Sequence, residues 1–201
     1  APADHEGSCP IRRGRDARTW PARKFSGLDT MQLAAQVQLY AAELGADAVF
    51  IDGTGVGGGV VDRCRQLGVK GVYDIQFGAA ADRASVAAGQ AEGTRYANKR
   101  AEMYGTMRDW LPIGAISDDK DLRNELEAIE FGHNLKDEIL LERKSVMRER
   151  VGSPDCADAL ALTFAYPIQR QVATAGGPHR GAGGGRAPGP LGARDYGASD
   201  S

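Results

Sequence analysis

The stretch AVFIDGTGVGGGVVDR, Ala48–Arg63, decides how the rest of the chain is read. A short apolar run ends in Asp52, and five glycines follow within the seven residues Gly53 to Gly59 before a helical pattern resumes in GVVDRCRQLG. Apolar runs closed by turn residues read as strands, and apolar positions recurring at three and four residues read as helices. A second apolar segment, Val69 to Phe77, completes a strand, helix, strand unit. Such a unit implies a parallel pair and an α/β fold.

The glycine loop admits two chemistries. Gly53, Gly55 and Gly58 satisfy GxGxxG, and Asp74 lies at a strand end where a dinucleotide-binding domain holds ribose. Against that stands Asp52, a fixed negative charge at the mouth of a loop that would have to attract phosphate. Two like charges ~4 Å apart at an effective dielectric near 20 repel by about 4 kcal/mol, and only a cation reverses the sign. A phosphate loop of the GxxxxGK[ST] type fails because no Lys-Ser or Lys-Thr ends the run. With a divalent metal as the ligand, Asp52 is well placed, and glycines such as Gly53, Gly55 and Gly57 would let a phosphodiester approach. Asp155 and Asp158 in SPDCADALAL are the best partners, three apart at a helix start. Mg²⁺ prefers hard oxygen ligands, and two such ions roughly 3.5 to 4 Å apart activate water and stabilise the leaving oxygen of a phosphodiester. Taken singly, each aspartate also has a plain reading as a turn residue or helix-dipole partner.

Outward from the loop, LDTMQLAAQVQLYAAELG reads as a helix capped by Asp29 or Thr30 and closed by Gly45. RYANKRAEMYGTMRDWLPIG reads as another, stopped by Pro112 and Gly114, and SDDKDLRNELEAIEF as a third, capped by Ser117 or Asp118. HNLKDEILLERK predicts a hairpin turning at Lys136 to Glu138, and SPDCADALALTFAYP a last helix with Ser153 as N-cap. The polar, interrupted opening APADHEGSC gives the expectation of a truncated N-terminal edge over residues 1–11, the periodic segments one folded domain over 12–167, and the composition a Gly/Pro-rich disordered tail over 168–201.

The 201 residues carry a formal charge of -2, which gives no global nucleic-acid signature. Three dispersed cysteines, Cys9, Cys64 and Cys156, indicate neither a disulfide framework nor a zinc site. No apolar run approaches the roughly 18 residues that span a bilayer. Local basic clusters remain: Arg95, Lys99 and Arg100 on one helix, and Arg143, Lys144, Arg148 and Arg150 just before the acidic helix. Groups flanking a metal site can hold a DNA backbone, a solvated helix face being the plain alternative for the first cluster.

Three blocks, VFIDGTGVGGGVVDRCRQLG, YANKRAEMYGTMRDWLPIGAI and RKSVMRERVGSPDCADALALTFAYP, resemble in order the nuclease domain of the large terminase subunit of tailed bacteriophages. The resemblance implies an RNase H-like mixed sheet flanked by helices. It also implies cutting of concatemeric double-stranded DNA with two Mg²⁺ or Mn²⁺ ions during genome packaging in the host cytoplasm. Portal and small terminase subunit would be partners, and oligomerisation would belong to the full motor. Within that pattern Asp52 matches the second acidic ligand and Asp155 the third, with Asp158 close enough to contribute. The GVDxAR strand that carries the first ligand, and the packaging ATPase domain, have no counterpart here, where the chain opens APADHEG with Asp4 and Glu6 as the nearby acids. The expectation is a fragment, split gene or decayed prophage copy, with an under-ligated site that binds Mg²⁺ weakly and cuts poorly. A non-catalytic remnant or docking module, and a dinucleotide-binding protein, are the alternatives.

Overall fold

The computed structural model describes residues 17–82 and 94–168. The expected N-terminal edge, and the expected tail from residue 169 onward, lie outside the described residues. In chain order the elements are α1 (Thr30–Leu44), β1 (Val49–Asp52), α2 (Gly57–Gln66), β2 (Val72–Ile75), α3 (Lys99–Trp110), α4 (Lys120–Glu127), β3 (Phe131–His133), β4 (Ile139–Leu141), α5 (Lys144–Val151) and α6 (Asp155–Leu162). No helix among the described residues is long and apolar enough to cross a membrane.

β1 and β2 pair in parallel, with Phe50 opposite Tyr73 and Asp52 opposite Ile75, and α2 makes the crossover. Side chains alternate between the faces of this pair, because successive residues of a strand point to opposite sides. Ile51 and Val72 pack with Ala34, Val60 and Cys64 under α1 and α2. Phe50 and Ile75 join Met103, Met107, Leu122, Leu160 and Ala161 from α3, α4 and α6. Full burial of each large side chain in that second cluster contributes about 1.5–3 kcal/mol. Asp52 follows Phe50 at a spacing of two, so it emerges on the α6 side. β3 and β4 form an antiparallel hairpin, in which Asn134 Oδ1 accepts from the N–H of Lys136 and of Glu138. Asp137 takes the left-handed conformation there.

Local signals place the helices, and tertiary bonds trim their ends. Asp29 and Gln32 close a capping box on α1, and Gly45 ends it in the left-handed region at φ 56°. α3 starts at Lys99, later than the pattern predicts, because Arg95 and Ala97 bond their backbones to Ile139 instead. Its cap is Asn98. Asp119 caps α4, not Ser117 or Asp118: the Ser117 N–H donates to Thr19 Oγ1, and Asp118 accepts from Arg123. Nor is Ser153 the cap of α6. Its hydroxyl donates to Asp155, and the first-turn N–H of Ala157 donates to Glu125 of α4 at 2.7 Å. Cys156 is disulfide-bonded, which corrects the sequence expectation for that residue, whereas Cys64 is a free, buried thiol.

The glycine turn is built by close packing. A Cβ at Gly57 would lie 1.8 Å from the Asp52 carbonyl oxygen, a backbone atom with no room to retreat. At Gly58 the nearest atom would be 3.4 Å away. Gly57→Ala is therefore expected to destabilise the chain by about 1–3 kcal/mol, as overpacking does. Gly58→Ala should be neutral or stabilising, since alanine is better by up to about 1 kcal/mol inside a helix. Urea titration of the two variants separates the cases.

Burial raises the Glu125 carboxyl from 4.5 to about 7, against the lowering influence of the Ala157 and Cys156 N–H groups. A carboxyl with a raised folded value favours the folded state below its unfolded pKa, and that advantage is lost as pH rises to the folded one. Stability should thus fall by roughly 3 kcal/mol between about pH 4.5 and 7 on this account. Glu125→Gln keeps an acceptor for Ala157 and should flatten the dependence, as measured by denaturation at pH 5 and pH 8.

Candidate functional site

Asp52 ends β1 with its carboxylate turned back on the loop, where Oδ1 accepts from the Thr54 N–H at 3.1 Å. Asp158 sits one turn into α6 with a side chain only 8% exposed. Lys144, the first residue of α5, lies between the two: its Nζ is 2.8 Å from Asp158 Oδ2 and 3.5 Å from Asp52 Oδ2. The same ammonium sits 4.4 Å from the centroid of the Phe77 ring.

The other oxygen of Asp158 is held from α3. Tyr104 Oη donates to Oδ1 at 2.7 Å and Arg100 Nε donates to it at 3.1 Å. Arg100 Nη1 also donates to the Glu142 carbonyl at 3.0 Å, which ties α3 to the end of β4. Its Nη2 is buried without a partner. A buried carboxylate alone would cost several kcal/mol of desolvation, which three donors, two of them cationic, offset. Burial, followed by the negative charge of Asp158, pushes the Tyr104 phenol well above its ordinary range, so Tyr104 remains a donor.

Asp52 and Asp158 are thus brought together, and Asp155 is not brought with them. Residues three apart on a helix are offset by about 60° around the axis. Here that offset sends them to different neighbours: Asp155 accepts from Ser153 Oγ at 2.6 Å and acts electrostatically on Glu125. Among the described residues, no three His, Cys, Asp or Glu side chains gather as a metal-binding group. Asp4 and Glu6 lie outside the described residues.

The glycines are occupied differently from the sequence expectation. A Cβ at Gly53 would lie 1.8 Å from Asp74 Oδ1, and Gly57 closes against the Asp52 backbone, so neither offers an open approach to phosphate. Gly55, at φ 64°, has open space around it. Asp74 accepts from Gln76 and overlies Gly53, so the dinucleotide alternative would place a pyrophosphate against two carboxylates.

The basic cluster on α3 is also corrected. Lys99 and Arg100 are 3% and 7% exposed, not a surface for DNA. Lys99 pairs with Asp82 at 3.0 Å and Glu102 at 3.1 Å and lies over the Tyr166 ring, while Arg100 belongs to Asp158. The helix turns this stretch inward, and buried charges persist only when paired. Arg150 pairs with Glu130 and Glu142. Arg143 and Arg148 are exposed on the α5 side. A cleft of about 450 Å³ opens beside the site, lined by Asp52, Thr54, Asn98, Arg100, Arg143 and Lys144 among others.

Sequence reasoning missed Tyr104 and the bridging place of Lys144. Arg100 and Tyr104 are spaced i, i+4 on a helix face that otherwise carries Met103 and Met107, and polar groups on an apolar stripe are the available signal.

No protein-family model and no curated protein matches the chain. Solved structures do. The nuclease domain of the large terminase subunit gp2 of bacterial virus Sf6 is 19% identical, with a TM-score of 0.67, over 81% of this chain and 88% of that one. A variant of that domain with manganese gives 18% and 0.65, over 77% of this chain and 81% of that one. The large terminase nuclease of thermophilic phage G20c with bound magnesium gives 14% and 0.51, over 81% and 82%. What the chain shares with them at these identities is architecture: it has the RNase H-like fold of the large-terminase nuclease domains.

Proposed function

We propose that the chain is a metal-dependent DNA endonuclease domain of the kind that cuts concatemeric double-stranded DNA in a phage packaging motor. One observation carries the reading. Carboxylates from a strand end and a helix start, Asp52 and Asp158, face a single cation position beside an open cleft, on a terminase-nuclease fold.

The donor set fits a hard divalent ion. Asp52 Oδ2 and Asp158 Oδ2 both lie within 3.5 Å of one ammonium, so a cation is already stabilised between them. Mg²⁺ is commonly bound through one or two carboxylates, with waters and substrate phosphates completing its shell. Asp52 and Asp158 would hold Mg²⁺ or Mn²⁺. When bound, such an ion supplies charge stabilisation for phosphodiester hydrolysis and a stronger water nucleophile. The second of the two expected ions finds no third carboxylate at this point among the described residues, since Asp155 turns to Ser153.

The chain's own groups fall into place on this reading. Tyr104 and Arg100 satisfy one oxygen of Asp158 with hydrogen bonds in a buried setting. Lys144 offsets part of the charge of the carboxylate pair while no metal is bound, and with a metal its side chain, 35% exposed, would turn toward a backbone phosphate. Arg143 and Arg148 would contribute nonspecific, salt-sensitive contacts to the duplex. Portal and small terminase subunit are the partners, and the host cytoplasm the place of action, that this assignment carries with it.

A second reading, a DNA-binding or motor-docking module without cleavage, is favoured by the ammonium that already occupies the carboxylate pair. Plasmid nicking decides between them. Slow Mn²⁺-dependent cleavage is expected, falling to background in Asp52→Ala and Asp158→Asn. Retarded DNA with no cleavage at any metal concentration supports the module instead. Cleavage undiminished by Asp52→Ala would remove the site assignment.

A further inference from the structure

We propose that Tyr104 and Arg100 are positioning residues that commit one oxygen of Asp158, Oδ2, to the cation held against Asp52. This inference rests on the metal-site reading above and names the groups that make the site selective in geometry.

The need for such groups follows from the side chain itself. The terminal torsion of aspartate is broad and nearly two-fold, so an unrestrained carboxylate presents either oxygen, or both, to a cation. In Asp158 this freedom is removed. Oδ1 is occupied by Tyr104 Oη at 2.7 Å and Arg100 Nε at 3.1 Å, and Oδ2 alone faces Lys144 at 2.8 Å. The two donors are four residues apart on α3, with the Arg100 guanidinium carbon 5.2 Å from the Tyr104 ring centroid, so one face of one helix delivers both.

Arg100 fixes a second coordinate of the site. Its Nη1 donates to the Glu142 carbonyl at 3.0 Å, two residues before Lys144. The same guanidinium therefore holds Asp158 and the segment that carries the competing ammonium. Outer partners of this kind orient a ligand without touching the metal. A purely structural tie between α3 and α6 would look similar in the folded chain but would leave metal affinity alone.

The test is a titration of the full chain with Mn²⁺ alone, free ion being followed by electron paramagnetic resonance at a temperature where each variant is folded. Tyr104→Phe removes only the hydroxyl and is expected to weaken Mn²⁺ binding about tenfold, the scale of outer-partner effects. Arg100→Lys is expected to weaken it similarly, and it carries the test if Tyr104→Phe does not fold. Wild-type affinity in both variants, with binding lost in Asp158→Asn, overturns the positioning role and leaves the metal site standing. Binding that is absent in the unaltered chain, or unchanged in Asp158→Asn, overturns the metal site and this inference with it.

Discussion

A carboxylate at position 158 that is nearly shut off from solvent is the constraint around which the α3, α5 and α6 elements are arranged. A buried charge persists only when its partners are in place, and breaking a buried pair costs about 3–5 kcal/mol because the remaining charge is left uncompensated. Asp158 meets that demand with three donors from two other helices: Arg100 and Tyr104 on α3 and Lys144 on α5. The apolar cluster of Met103, Met107, Leu160 and Ala161 holds α3 against α6, which brings the donors to the carboxylate. Packing and charge neutralisation thus specify the same geometry.

Asp52 enters that geometry from a different direction. Its place is set by the parallel register of β1 against β2 and by a glycine turn that doubles the chain back onto the strand end. Gly57 lies so close to the Asp52 carbonyl that any side chain there would displace the strand end. The glycines act first on the backbone that carries the carboxylate, and through it on the distance to Lys144.

Legibility in the sequence divides along the same line between local and tertiary causes. The β1, α2, β2 unit, Asp29 as one of two N-cap candidates of α1 and the hairpin turning at Lys136 to Glu138 are encoded within a few residues, so periodicity and turn chemistry found them. Asp52 was legible as a charge that contradicts a phosphate loop. The start of α3 and the caps of α4 and α6 were misplaced because backbone groups at Arg95, Ala97 and Ser117, and the hydroxyl of Ser153, are engaged by distant or competing partners. Lys99 and Arg100 were read as outward-facing because charge in a helix is normally solvated. The carboxylates that draw them inward, Asp82 and Asp158, are 17 and 58 residues away in the chain. Asp155 and Asp158 share a spacing but not an environment, and only packing distinguishes them.

Electrostatics also decides what the glycine loop is for. A loop that cradles phosphate presents N–H groups and positive potential to its ligand, and carboxylates at its mouth work against it. Here Asp52 ends the strand and Asp74 overlies Gly53, so the turn is rimmed by negative charge from both strands of the parallel pair. The positive groups nearby, Lys144 and Arg100, are directed at Asp52 and Asp158 and do not line the glycines as a phosphate cradle would. An anion settling in the turn would meet two carboxylates, whereas a cation settling between Asp52 and Asp158 would meet two oxygens that already face an ammonium. The sign of the charge at the strand end therefore favours a bound cation over a bound nucleotide.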